Sequence, residues 1–118
     1  MQSAGQSFAD EIAGRYALAI AGKGHTPKLR EIIAAVVELK KEHSNGQVAV
    51  KFGFGYASGA AWVSQMANLS RMAENVLAVI ETGLQRRRLR PAFFAALSRQ
   101  TPDEQLRLAR EWAGMDQS

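Results

Sequence analysis

Four polar side chains stand at offsets of 0, 1, 4 and 7 along one short stretch: Ser64, Gln65, Asn68 and Arg71. On a helix of about 3.6 residues per turn this spacing gathers them on one side. The amides of Gln65 and Asn68 each present a donor beside an acceptor, which matches the adenine edge in the major groove of DNA. Ser64 can bond to a base or a phosphate, and Arg71 to a phosphate or a guanine. A second concentration of chemistry is Arg86-Arg87-Arg88-Leu89-Arg90, four guanidinium groups in five positions. Such a run can clamp phosphates without regard to sequence. Taken alone, it equally suits a solvated face.

The elements that must position these groups are legible on either side. Trp62, Val63, Met66 and Leu69 recur at helical spacing and predict a core-facing stripe on a helix opened by Ser58. Upstream, Ser44-Asn45-Gly46-Gln47 reads as a turn and a capping box, with Gln47 reaching back to Ser44. It opens a short helix carrying Val48, Ala49 and Phe52 and ending at Gly53. Ala49 is small, as two closely crossing helices require. Gly53-Phe54-Gly55-Tyr56-Ala57-Ser58-Gly59 then connects the two helices, with Phe54 and Tyr56 expected to pin it to the core. Short helix, turn and helix with a polar face is the plan of a helix-turn-helix, here at about 46–70. Lys51 is expected to project toward the DNA backbone, Tyr56 is a candidate to touch it, and Ser58 with the N–H groups after it to favour a phosphate.

The run WVSQMANLSRMAENVLAVIETG (Trp62–Gly83) resembles the helix-turn-helix core of the ParB/KorB family of partition proteins. The pieces that carry the resemblance are Val63-Ser64-Gln65 and Met72-Ala73-Glu74-Asn75-Val76. Val48-Ala49 with Phe52-Gly53 is similar to the family's first motif helix. Ala95-Ala96-Leu97 and Pro102-Asp103-Glu104-Gln105 are similar to its downstream segment. The chain has about four residues more than the family pattern between Gly53 and Val63, and Ala73 stands where the family prefers proline. The family's amino-terminal nucleotide-binding domain has no counterpart in these 118 residues. The resemblance therefore implies DNA binding without CTP binding. It also implies palindromic operators, hence two copies on DNA, and a role in plasmid or mobile-element partition or in transcriptional repression.

The remaining pattern is helical throughout. Residues 1–6 are expected to be loose, with Ser7 capping a first helix whose core row is Phe8, Ile12, Tyr16 and Ile20. Gly22-Lys23-Gly24 stops it; a phosphate cradle is not indicated, because the full Walker pattern is missing. Thr26-Pro27 should start a helix with Leu29, Ile32, Ile33, Val36 and Val37 inward. After the reading helix, Met72 and Ala73 mark a bend, then Val76, Leu77, Val79 and Ile80 form a stripe ended by Thr82-Gly83. Pro91 starts a short helix with Phe93, Phe94 and Leu97. Thr101-Pro102-Asp103-Glu104 starts the last, with Leu106, Ala109 and Trp112 inward, Gly114 ending it and residues 115–118 loose. The expectation is an all-α, compact bundle of about seven short helices containing a helix-turn-helix, one domain over 1–118.

Composition bounds the function further. There is no cysteine, which excludes disulfides and cysteine-ligated zinc. His25 and His43 lie near helix boundaries without a ligand cluster, so no metal or cofactor is expected. Paired carboxylates, nucleophile–base sets and phosphate motifs are not visible, so the chain is not read as an enzyme and no small-molecule substrate is expected. No apolar run approaches the ~20 residues that span a bilayer, and MQSAGQSFADE is not a signal peptide. No membrane partner is expected, and the expected location is the cytoplasm, with the nucleoid or a plasmid. The net charge of +4 and pI near 9.9 permit nucleic-acid binding. Sequence-specific recognition of double-stranded DNA is thus the first expectation. The alternative is a helical interaction module that regulates a protein partner without DNA, with the arginines steering an acidic one.

Overall fold

The computed structural model describes residues 4–85 and 91–115. Among these there are seven helices and no strand, the all-α class that the periodicity indicates. They are α1 (Ala4–Ile20), α2 (Leu29–Leu39), α3 (Asn45–Lys51), α4 (Ala60–Leu69), α5 (Glu74–Gly83), α6 (Pro91–Leu97) and α7 (Pro102–Trp112). The chain divides into two compact units, residues 1–70 with α1 to α4 and residues 71–118 with α5 to α7.

In the first unit α1 starts at Ala4, so Ser7 lies inside the helix and does not cap it, and residues 4–6 are not loose. The reason is tertiary. The Gln6 side chain is buried, and its Nε2 donates to the Glu38 carbonyl at 2.7 Å, near the C-terminus of α2, where helical carbonyls lack partners. Ala9, Ile12 and Ala13 form the buried face. The expected row from Phe8 to Ile20 slides about 40° at each four-residue step. Its two ends therefore leave the core, with Phe8 43% and Ile20 53% exposed.

The second helix begins at Leu29 and not at Pro27. Lys28 occupies the N-cap position in an extended conformation, and its N–H donates to Glu31 Oε1 at 3.1 Å, while Pro27 is buried. Leu29, Ile32, Ile33 and Val36 are buried as their spacing predicts, but Val37 is 39% exposed and the core continues through Ala35 and Leu39. The capping box of α3 forms as expected. Gln47 N–H donates to Ser44 Oγ at 3.2 Å, and Ser44 N–H donates to Gln47 Oε1 at 2.9 Å. Val48, Ala49 and Phe52 are fully buried. Gly53, at φ 93°, ends the helix, and Phe54 N–H closes on the Ala49 carbonyl at 2.9 Å.

The α3–α4 connection ends in a cluster of rings. Trp62 of α4 stands 4.7 Å from Phe54, 5.1 Å from Phe52 and 5.2 Å from Tyr16 between centroids. Such pairs contribute about 0.5–1.5 kcal/mol each beyond the area they bury. Val63, Met66 and Leu69 complete the inward stripe of α4.

In the second unit Val76, Leu77, Val79 and Ile80 of α5 are buried as the pattern predicts. Ala73 is an extended N-cap and α4 stops at Leu69, so residues 70–73 break the helix where a bend was expected. Gly83 is buried as the last residue of α5. A Cβ there would stand 2.9 Å from the Ala113 Cβ, so this glycine serves packing more than termination. Phe94 and Leu97 of α6 are buried, and Phe93, Phe94 and Trp112 cluster at 5.3–5.9 Å. Thr101 caps α7 through Glu104 N–H at 3.3 Å, with Pro102 in the first turn. Ala109 is buried, whereas Leu106 and Trp112 are only partly so. Gln105, not expected inside, is buried and donates from Nε2 to the Leu97 carbonyl at 3.2 Å.

Candidate nucleic-acid interface

The pair α3 and α4 provides the two expected helices, joined by the eight residues 52–59. A helix-turn-helix turn usually takes three or four. The long connection is tied down along its length. Gly59 N–H donates to the Gly55 carbonyl at 2.9 Å, and Ala60 N–H to the Ala57 carbonyl at 3.4 Å. Gly59, not Ser58, is the N-cap of α4, and it supplies no side-chain cap. Ser58 is exposed outside the helix with its Oγ over Gly55, where an added Cβ would meet it at 2.6 Å. The turn from Gly55 to Gly59 thus binds the Gly59 and Ala60 N–H groups itself, and no side chain caps α4.

Ser64, Gln65 and Asn68 lie on α4, and each is only partly exposed; Ala61 is the one exposed residue of the ten. Gln65 Oε1 is buried and has no hydrogen-bond partner among the described residues. An adenine contact requires this oxygen to accept from N6, so Gln65 must change rotamer before it can read a base. Arg71 is exposed but lies beyond the end of α4, with Ser70 as the C-cap. The four side chains therefore do not form one continuous helical row.

The backbone-contact candidates are placed as follows. Lys51 Nζ donates to Asp10 Oδ1 of α1 at 3.1 Å, both side chains being partly exposed. Its charge is engaged within the unit. Nothing in the local pattern signals this partner, which lies 41 residues earlier in the chain. Tyr56 is 60% exposed, and its ring covers Gly46 in the first turn of α3, where a Cβ would stand 2.6 Å from it. Its hydroxyl lies 3.4 Å from Ser44 Oγ, the cap of α3. Phe54 reaches the ring cluster, while Tyr56 stays on the surface. Arg86, Arg87, Arg88 and Arg90 lie outside the described residues.

Burial raises the pKa of Tyr16, in the ring cluster, above its ordinary value of 10.0. Glu104 of α7 is held below its usual range by its hydrogen bond with Arg107, whose own pKa is raised by the same contact. Among the described residues no group of three or more potential metal ligands comes together, and no helix is long and apolar enough to cross a membrane. Comparison with protein-family models, with curated proteins and with solved structures gives no match.

Proposed function

We propose that this chain binds double-stranded DNA in a sequence-specific way through α3 and α4, as a partition or repressor protein of the ParB/KorB kind. The observation that carries the reading is the close approach of the start of α4 to a capped short helix. Ala49 is fully buried, and a Cβ at Gly59 would stand 2.6 Å from its Cβ. Ser64, Gln65 and Asn68 would read bases once α4 enters the groove, and Arg71 would meet a phosphate or guanine. The net charge of +4 and the arginine run supply the non-specific attraction. On this reading the site is a palindrome bound by two copies, on a plasmid or the nucleoid.

The test is a fluorescence-anisotropy titration of random duplex at low and at physiological salt, followed by operator selection from a random pool. Micromolar binding that weakens steeply with salt supports the reading. No binding at about 0.1 mM protein and low salt sets it aside.

A second reading, a helical module that regulates a protein partner, is favoured by one specific observation. Nine of the ten α4 residues are partly or fully covered, whereas Phe8, Leu18, Ile20 and Val50 are exposed. Absence of duplex affinity, with capture of a defined protein partner, would select it.

A further inference from the structure

The loop between α1 and α2, at residues 22–28, carries two lysines and a histidine that neither the motif helices nor the arginine run accounts for. Lys23, His25 and Lys28 are all exposed. None of them pairs with a carboxylate among the described residues. No acid occurs between Glu11 and Glu31, and the Glu31 carboxylate is engaged by the Lys28 backbone N–H. The loop is anchored at its start and open beyond it. Gly22 N–H donates to the Ala19 carbonyl at 3.0 Å, and Lys23 N–H to the Leu18 carbonyl at 2.8 Å. Gly22 and Gly24 take φ values of 81° and 120°, and a Cβ at either would meet nothing within 4 Å. The backbone on either side of Lys23 therefore stands clear of the rest of the unit.

Their place in the fold gives them a use. Gly53, at the head of the α3–α4 connection, lies against the last turn of α1. A Cβ there would stand 3.1 Å from the Ala17 Cβ and 3.9 Å from the Ile20 Cδ1. The loop leaves α1 directly after this turn, with Lys23 N–H held on the Leu18 carbonyl of the same turn. Lys51, meanwhile, is occupied by Asp10. We propose that the α1–α2 loop is a sequence-independent contact to the phosphate backbone of duplex DNA, with Lys23 and Lys28 as the charges and His25 as a hydrogen-bond donor. This rests on the reading that the chain binds DNA, and adds a site outside the helix pair. It is not a nucleotide cradle. The contact is electrostatic, of the kind that fixes register on the duplex without reading bases.

The test is a double substitution, Lys23→Gln with Lys28→Gln, compared with Lys40→Gln and Lys41→Gln beyond the other end of α2. All four lysines are exposed. Thermal melts followed by circular dichroism confirm that both variants fold. Random-duplex binding is then measured from low to physiological salt. The expected result is a slope of log K against log salt flatter by about two units for the loop variant, about one per lost phosphate contact. The fall in affinity should be the same on any sequence, and the Lys40/Lys41 variant should keep most of the slope. Equal losses in both variants, or an unchanged slope in the loop variant, would overturn the proposal while leaving DNA binding intact. No duplex binding by the unaltered protein would overturn both. Sedimentation with anionic phosphatidylglycerol vesicles in place of duplex binding would also overturn it, and would give these lysines, with the half-exposed Leu18 and Ile20 beside them, to a lipid surface.

Discussion

Gly59 and Ala49 meet so closely that a Cβ on Gly59 would stand 2.6 Å from the Ala49 Cβ. The absence of one side chain and the smallness of another set the approach of the α3–α4 connection to α3. Gly59 has φ −90°, which any residue can adopt, so its requirement is space and not backbone freedom. Gly59→Ala is expected to destabilise the protein by about 1–3 kcal/mol through overpacking. The same Cβ would press still closer on the Phe54 Cβ, so Ala49→Gly in the same chain, which also puts a glycine inside α3, should recover little of that loss. Urea unfolding at constant m-value measures both. An unchanged midpoint for Gly59→Ala would mean that the crossing opens freely.

Gln65 offers a test in which stability and recognition separate. Its buried Oε1 has no partner among the described residues, and an unpaired buried acceptor costs about 1–3 kcal/mol. Gln65→Leu should therefore leave stability unchanged or raise it by up to that amount. If the side chain reads a base, the same substitution weakens cognate binding by about 1–3 kcal/mol and leaves random duplex unaffected. Equal losses on both DNAs would remove Gln65 from the reading set.

The pair Lys51–Asp10 makes a third prediction. Both side chains are partly exposed, so breaking the pair should cost no more than about 1 kcal/mol. Asp10→Asn releases Lys51 and adds one net positive charge. Random-duplex affinity at low salt should rise a few-fold, and Lys51→Gln in that background should return it to the starting value. A silent Asp10→Asn would show that Lys51 does not face phosphate.

Tyr16 predicts a dependence on alkaline pH. Burial raises its pKa in the folded protein above the ordinary 10.0. The unfolded chain then loses the phenolic proton first, so the stabilisation is complete below about pH 10 and fades as pH rises toward the folded-state value. Tyr16→Phe, which keeps the ring against Phe52, Phe54 and Trp62, should flatten the part of the stability profile that this group contributes above pH 10. Denaturant midpoints of the two proteins from pH 8 to 11 measure it. Parallel profiles would assign the alkaline loss to other groups.

The features legible in the chain are those whose partners lie within about one helical turn. The Ser44–Gln47 capping box, the Thr101–Pro102 start of α7 and the stripes of α2, α4 and α5 depend on offsets of three or four residues; all stand in the structure, except that Val37 is exposed and Trp62 only partly buried. Ser44 and Thr101 find their N–H groups three residues on, whatever the rest of the chain does, and a stripe needs only some core to face. For that reason seven helices could be counted from the sequence.

The positions of the chemical groups were of another kind. Gln6 reaches Glu38 across 32 residues and extends α1 back to Ala4, and Lys51 reaches Asp10 across 41. Tyr56 settles on Gly46, and the turn from Gly55 to Gly59 displaces Ser58 from the cap. The burial of Gln65 Oε1 depends on everything around α4. By itself the sequence determined the helices, the caps of α3 and α7 and most of the apolar faces, because short-range hydrogen bonds and periodic burial are local properties. The tertiary structure alone decided which polar groups are engaged, covered or left free, because each long side chain has several partners in reach and the packed fold selects among them.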